Sequence, residues 1–139
     1  MKSKSYDKAL TLMRRNGAEE KAYSLLLEAM KQGDYRAHYA LGTWYLYGRH
    51  VRKNYKKAFG LLKKAADQDI ADAAFDLAVC YEKGEGVKAD PSKAAAMYFR
   101  AMRCGDKSAA KELRRMFYWG IGVEKNRLLA AEFLKLRLE

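Results

Sequence analysis

Apolar positions return along this chain in two superimposed rhythms. The shorter one is helical. Ala37, Ala40, Leu41, Trp44 and Tyr45 fall at i, i+3, i+4, i+7 and i+8, a single stripe on an α-helix. The longer one is a repeat. Ala37, Leu41, Tyr45 and Gly48 recur as Ala73, Leu77, Tyr81 and Gly84, and again as Ala109, Leu113, Phe117 and Gly120, each time 36 residues on. A period of that size predicts a solenoid of stacked helix pairs, in which each pair buries its apolar face only against its neighbours.

Each repeat reads as two helices. Gly48, Gly84 and Gly120 follow the last turn of the first helix, where a glycine suits the left-handed closing position. A short connector carries Val51, Val87 and Val123, placed to plug the gap between helices. Asn54, Asp90 and Asn126 then stand as N-caps, with Pro91 at the first helical position in one copy. In the second helix Ala58, Leu61, Leu62, Ala65 and Ala66 are matched by Ala94, Met97, Tyr98, Ala101 and Met102. The last copy has Ala130, Phe133, Leu134, Arg137 and Leu138. Alanine columns let helix axes approach, and the larger columns fill the space between layers. Gly33 and Gly105 end their helices, with Asp69 in the equivalent place, and Asp34 and Asp106 cap the next helix in each case.

An altered unit comes first. Ala22, Leu25, Leu26, Ala29 and Met30 fit the second-helix columns, and Tyr6, Ala9, Leu10 and Met13 form a stripe upstream. The connector between them is shorter by five residues, with Asn16-Gly17 at its turn. The expected organisation is therefore one domain of eight helices in four pairs: an atypical unit 1–36, then repeats 37–72, 73–108 and 109–139. Arg137, in an alanine column, fits an exposed end of the stack.

Composition adds a direction. Half of the 139 residues are hydrophobic, Pro91 is the only proline, and the formal net charge is +11. That charge favours anionic partners, namely acidic peptides, nucleic acid or a membrane surface. Residues 1–15 lack the apolar run of a signal peptide, and no stretch approaches the ~18 apolar residues of a membrane span, so the chain reads as cytoplasmic. Cys80 and Cys104 are expected to lie roughly 9–13 Å apart along antiparallel helices, too far for a bridge. Cys80 shares a column with Trp44 and Met116, which marks it as a core filler.

Ala37-His38-Tyr39-Ala40-Leu41-Gly42-Thr43-Trp44-Tyr45-Leu46-Tyr47-Gly48 closely resembles the Sel-1-like repeat, a relative of the tetratricopeptide repeat in bacteria and eukaryotes. Tyr81-Glu82-Lys83-Gly84-Glu85-Gly86-Val87 and Tyr118-Trp119-Gly120-Ile121-Gly122-Val123 match its turn. The resemblance covers residues 37–139 well and 1–36 loosely. It implies an all-α, right-handed superhelix that serves as an adaptor or scaffold, with no catalytic residues and no cofactor. Ala78 and Arg114 stand where the pattern has Gly42, so the closest helix approach is not carried to those repeats. Cys80 and Cys104 do not occupy the places of the family's disulfide-bearing branch, and that branch's secreted character is not carried over either.

By phase with related stacks, the first helix of each pair lines a concave groove. The residues free to face it are Arg36, Tyr39, Thr43, Leu46 and Tyr47; then Asp72, Phe75, Val79, Glu82 and Lys83; then Ser108, Lys111, Arg115, Tyr118 and Trp119. The candidate partner-binding set is Arg36, Tyr39, Thr43, Tyr47, Phe75, Lys83, Lys111, Arg115, Tyr118 and Trp119. Aromatic and arginine residues are the usual anchors of interfaces, and this mixture suits a protein segment with carboxylates beside apolar groups. The alternative is a basic, helical nucleic-acid binder. Arg49, His50, Arg52, Lys53, Lys56 and Lys57 make a second basic patch, at a connector. His38 and His50 have no partner at metal-ligand spacing, and no nucleophile–base arrangement is legible. The apolar end at Phe133, Leu134, Leu136 and Leu138 is a candidate for self-association.

Overall fold

The computed structural model of the chain describes residues 2–138, with side chains as far as residue 136. All eight expected helices are present: α1 (Lys4–Met13), α2 (Glu19–Lys31), α3 (Tyr35–Tyr47), α4 (Tyr55–Asp67), α5 (Ala71–Lys83), α6 (Pro91–Arg103), α7 (Ala109–Trp119) and α8 (Arg127–Leu138). There is no strand among the described residues. Each helix packs chiefly on the helices before and after it, which makes a right-handed α/α superhelix of four pairs. The alanine columns are fully buried, and Leu41, Leu77 and Leu113 point inward at the centre of each pair. A Cβ added at Gly42 would lie 3.0 Å from Leu62, so the helices of that pair are in close contact there.

The local signals hold with one exception: Asp106 does not cap α7, which starts at Ala109 after Ser108 with no side-chain cap, and instead accepts the Ser108 N–H at 3.0 Å in the turn before the helix. Asn54, Asp90 and Asn126 accept the backbone N–H three residues on, at 3.1, 3.1 and 3.0 Å. Gly48, Gly84 and Gly120 close α3, α5 and α7 in the left-handed region. Asp69 adopts φ +59 in the place of Gly33 and Gly105. Two further glycines, in the turns beyond α5 and α7, have a role of their own. Gly86 and Gly122 lie against the start of the preceding repeat's second helix: a Cβ there would come within 2.2 Å of the Tyr55 carbonyl oxygen and 2.3 Å of Pro91. In the first repeat His50 takes this column with φ +60, against the shorter unit of α1 and α2.

Asp34 ties the altered first unit to the rest. It is 1% exposed and caps α3 by accepting the Arg36 N–H. Both its oxygens also take the Arg36 guanidinium, at 3.0 and 2.6 Å, and Oδ2 accepts the Ser3 N–H at 2.8 Å. Arg36 reaches Asp7 as well and stacks over Tyr6. Burial pushes the Asp34 carboxyl up, but these donors together win and hold it at about 2. No side-chain hydrogen bond among the described residues spans more than 36 positions, one repeat length.

Some expectations need correction. Leu46 does not face the groove; it is buried in the core with α5. Phe133 is not on an open end either; it packs with Phe99 and Phe117 at 5.8 and 5.6 Å between ring centres. The open apolar positions are Leu128, Leu129, Leu134 and Leu136. The expectations for the Arg137 and Leu138 side chains lie outside the described residues. Cys80 is buried as expected, and neither cysteine is bridged.

Two outcomes arise from this packing. Gly122→Ala should cost at least about 2 kcal/mol in chemical denaturation, from backbone strain plus collision with Pro91. Gly17→Ala, at φ +82 with open space around it, should cost only about 1 kcal/mol. Asp34→Ala should cost about 3 kcal/mol at pH 7, by loss of a cap and of a buried partner for Arg36. Because the folded carboxyl is depressed, that contribution is present above pH 4 and fades as pH falls toward about 2.

Candidate functional site

The first helices of the pairs supply the candidate residues, and the structure sorts them into three groups. The first group is at the end of the stack. Lys111, Arg115, Tyr118 and Trp119 line one open pocket of about 390 Å³ together with Glu112 and Arg114. Helical spacing puts them there, since 111, 115, 118 and 119 share a face of α7. The Tyr118 and Trp119 rings meet edge to face at 4.8 Å, and Arg127 stacks over Tyr118 at 4.9 Å. Trp119 is 63% exposed. Lys111 is exposed and has no ion-pair partner among the described residues.

The second group is engaged inside the protein. Arg115 Nη2 donates to both Glu82 oxygens, at 2.7 and 2.9 Å, and Nε donates to Glu112 at 3.1 Å. Glu82 also accepts the Tyr98 hydroxyl at 2.9 Å, so this cluster pins α5, α6 and α7 together. Arg36 is committed to Asp34 and Asp7 in the same way. The Thr43 hydroxyl donates to the Ala40 carbonyl at 2.7 Å. These three side chains hold the frame before they can hold a ligand.

The third group surrounds a carboxylate that the sequence reading missed. Asp76 is half-buried on α5 with no hydrogen bond or ion pair among the described residues. Burial pushes its carboxyl up to about 6, helped by Asp72 and Asp106. Burial also raises the phenols of Tyr39 and Tyr47, and Asp76 raises both further, so all three lie in one neighbourhood. Phe75 packs edge-on to Tyr98 at 5.2 Å and is half-buried, whereas Tyr47 is 70% exposed. Lys83, the last residue of α5, lies 3.9 Å from Glu85 in the turn beyond it. The available sign of Asp76 was its place four residues after Asp72, on the same side of one helix.

The basic connector is partly structural. Arg49 donates to the Met13 carbonyl at 3.2 Å and stacks over Trp44, and His50 approaches Glu20 at 3.3 Å. Lys53 and Lys57 lie over Tyr55 and Tyr45. No helix among the described residues is long and apolar enough to cross a membrane.

The unpaired Asp76 sets a pH signature. A folded carboxyl raised to about 6 from 3.8 makes the protein relatively more stable when it is protonated. Wild-type stability should therefore fall as pH rises from about 4 to 6. Asp76→Asn should abolish that fall and gain up to about 3 kcal/mol at pH 7, read by urea denaturation at each pH.

Comparison with known proteins agrees with this architecture. The family model described as Sel1 repeat matches residues 36–70, 71–106 and 109–136. A protective antigen of uropathogenic Escherichia coli strains, displaying an SLR fold, is 29% identical with a TM-score of 0.82, over 84% of this chain and 25% of that one. A Sel1 repeat protein from Oxalobacter formigenes is 27% identical with a TM-score of 0.80, over 85% of this chain and 48% of that one. Cysteine rich protein B of Helicobacter pylori is 26% identical with a TM-score of 0.63, over 81% of this chain and 86% of that one. The chain thus spans a quarter and about half of the first two relatives. No curated protein matches it.

Proposed function

The chain belongs to the Sel1 repeat family, and from that premise we propose that the face lined by α3, α5 and α7 is a concave groove for an acidic or amphipathic segment of another protein. Members of this family are generally protein–protein interaction modules, built on a repeat scaffold without catalysis. We read this chain as such a module, with no enzymatic role of its own and a place in the cytoplasm.

The observation that carries the reading is the pocket on α7. Lys111 offers an unpaired ammonium beside the exposed Trp119 and Tyr118 rings. A large stiff aromatic next to a cation is the usual composition of an interface anchor. Further along the groove Tyr47 and Tyr39 add aromatic surface, while Asp72 and Asp76 change the sign of the charge. An amphipathic segment with its carboxylates toward α7, and its polar or basic residues toward α5, is complementary to that order. Lys83 adds a cation at the end of α5, beside Glu85, and Phe75 supports the floor. Arg36, Thr43 and Arg115 shape the groove and contribute contact only at their edges.

The nucleic-acid alternative finds less support. Two carboxylates stand on the very face that a phosphate backbone would have to follow, and like charge there opposes it. We propose self-association through the exposed leucines of α8 as a separate property.

A selection of displayed random peptides on the wild-type protein reads the groove directly. Enriched sequences should combine Asp or Glu with aromatic or aliphatic residues. Lys111→Glu combined with Trp119→Ala should weaken a selected peptide at least about 30-fold, the scale of losing about 2 kcal/mol of anchor contact. An unchanged affinity with an intact fold removes the groove from the account.

A further inference from the structure

We propose a second binding site, on the opposite side of the stack: the furrow between α2 and α4 takes an acidic peptide helix that inserts large apolar side chains. This goes beyond the groove reading and uses none of its residues. The furrow holds a cavity of about 320 Å³, within the size range of small binding sites, about 300–1,000 Å³. Leu27 and Met30 of α2 and Leu61 of α4 form its apolar walls, with Leu41 of α3 beneath.

Gly60 leaves one wall of the cavity without a side chain. It lies in the middle of α4 on the exposed side, where a glycine is a poor helix former. A Cβ built on it meets nothing within 4 Å, so neither a turn nor a close helix contact requires glycine. One repeat on, the same column holds Ala96, and the column of Leu27 holds Lys63. The apolar hollow belongs to this furrow by sequence, and the repeat pattern does not impose it elsewhere.

The charge around it is uncompensated. Lys57 and Lys64 both line the cavity, and neither has a carboxylate partner among the described residues. Lys57 lies over the Tyr45 ring at 5.3 Å. The case of Lys64 is sharper. Its counterpart one repeat on is Arg100, which donates to Asp69 at 3.1 Å and to the Asp67 carbonyl at 3.3 Å. The residue one repeat before Asp69 is Gly33. Lys64 thus matches Arg100 in charge, while the acid that answers Arg100 has no counterpart one repeat earlier. The two lysines are seven residues apart, about 10 Å along α4 at ~1.5 Å per residue. A helix laid along the furrow with acids at i and i+7, and apolar residues at i+3 and i+4, matches that spacing. It fills the hollow with the side chains between its acids.

The experiment uses the full chain and a labelled, capped helical peptide with Glu at i and i+7 and Leu at i+3 and i+4. Its twin carries Gln at both Glu positions. Binding is followed by fluorescence anisotropy at low salt. The Glu peptide should bind, and the Gln twin should bind at least tenfold more weakly. Lys57→Glu with Lys64→Glu should cost the same factor. Gly60→Leu plugs the hollow from an exposed helix position; it should abolish binding while the melting temperature stays level or rises. Lys111→Glu with Trp119→Ala should leave this binding intact, which separates the fate of this site from that of the groove. The proposal is overturned if the Glu peptide shows no binding at millimolar concentration, or if Gly60→Leu binds as wild type does. It is equally overturned if the groove variant abolishes binding, or if sodium oleate binds the furrow and the peptide does not.

Discussion

Columns of fully buried alanine bring the helix axes of this stack close together, and every other contact is arranged around that spacing. Ala22, Ala58 and Ala94 are wholly buried in one column, and Ala37, Ala73 and Ala109 in another. With axes held close, Leu41, Leu77 and Leu113 can each fill the space within a pair. The close approach also explains Gly86 and Gly122, since the connector then passes directly over the backbone of the previous repeat. A frame fixed by such small residues leaves the outward positions of each helix free to vary, and chemistry is placed there.

The frame was readable because each statement about it was made three times. A lone glycine after an apolar stripe is weak; three at a step of 36 fix a phase, and the caps, turns and core followed from it. Leu46 and Phe133 went wrong for a shared reason. Phase on one helix says which way a residue points, and it does not say how far the next helix reaches over it. Leu46 is covered by α5, and Phe133 by the aromatic pair Phe99 and Phe117. Arg36 and Arg115 were harder still. Arg36 closes on the cap residue Asp34 just before it and on Asp7 of α1, and Arg115 on Glu112 of its own helix and Glu82 of α5; pairs that occur in one repeat only leave no periodic trace. The Ser3 backbone N–H donating to Asp34 is a hydrogen bond that likewise occurs once and has no counterpart in the repeat pattern.

The high positive charge reads differently once its internal pairs are known. Arg36, Arg100 and Arg115 are spent holding helices together. Lys57, Lys64 and Lys111 are not, and each stands beside exposed or accessible apolar surface. These three lysines are a small subset of the 28 lysines and arginines of the chain. Asp76, kept unpaired and half-buried on α5, divides the inner side into zones of opposite sign.

Every side-chain hydrogen bond described closes within a single repeat length, and helices touch mainly their chain neighbours. Among the described residues, no side-chain hydrogen bond joins one extremity to the other. The bend of the whole is therefore the sum of small angles between adjacent pairs, set locally at each junction.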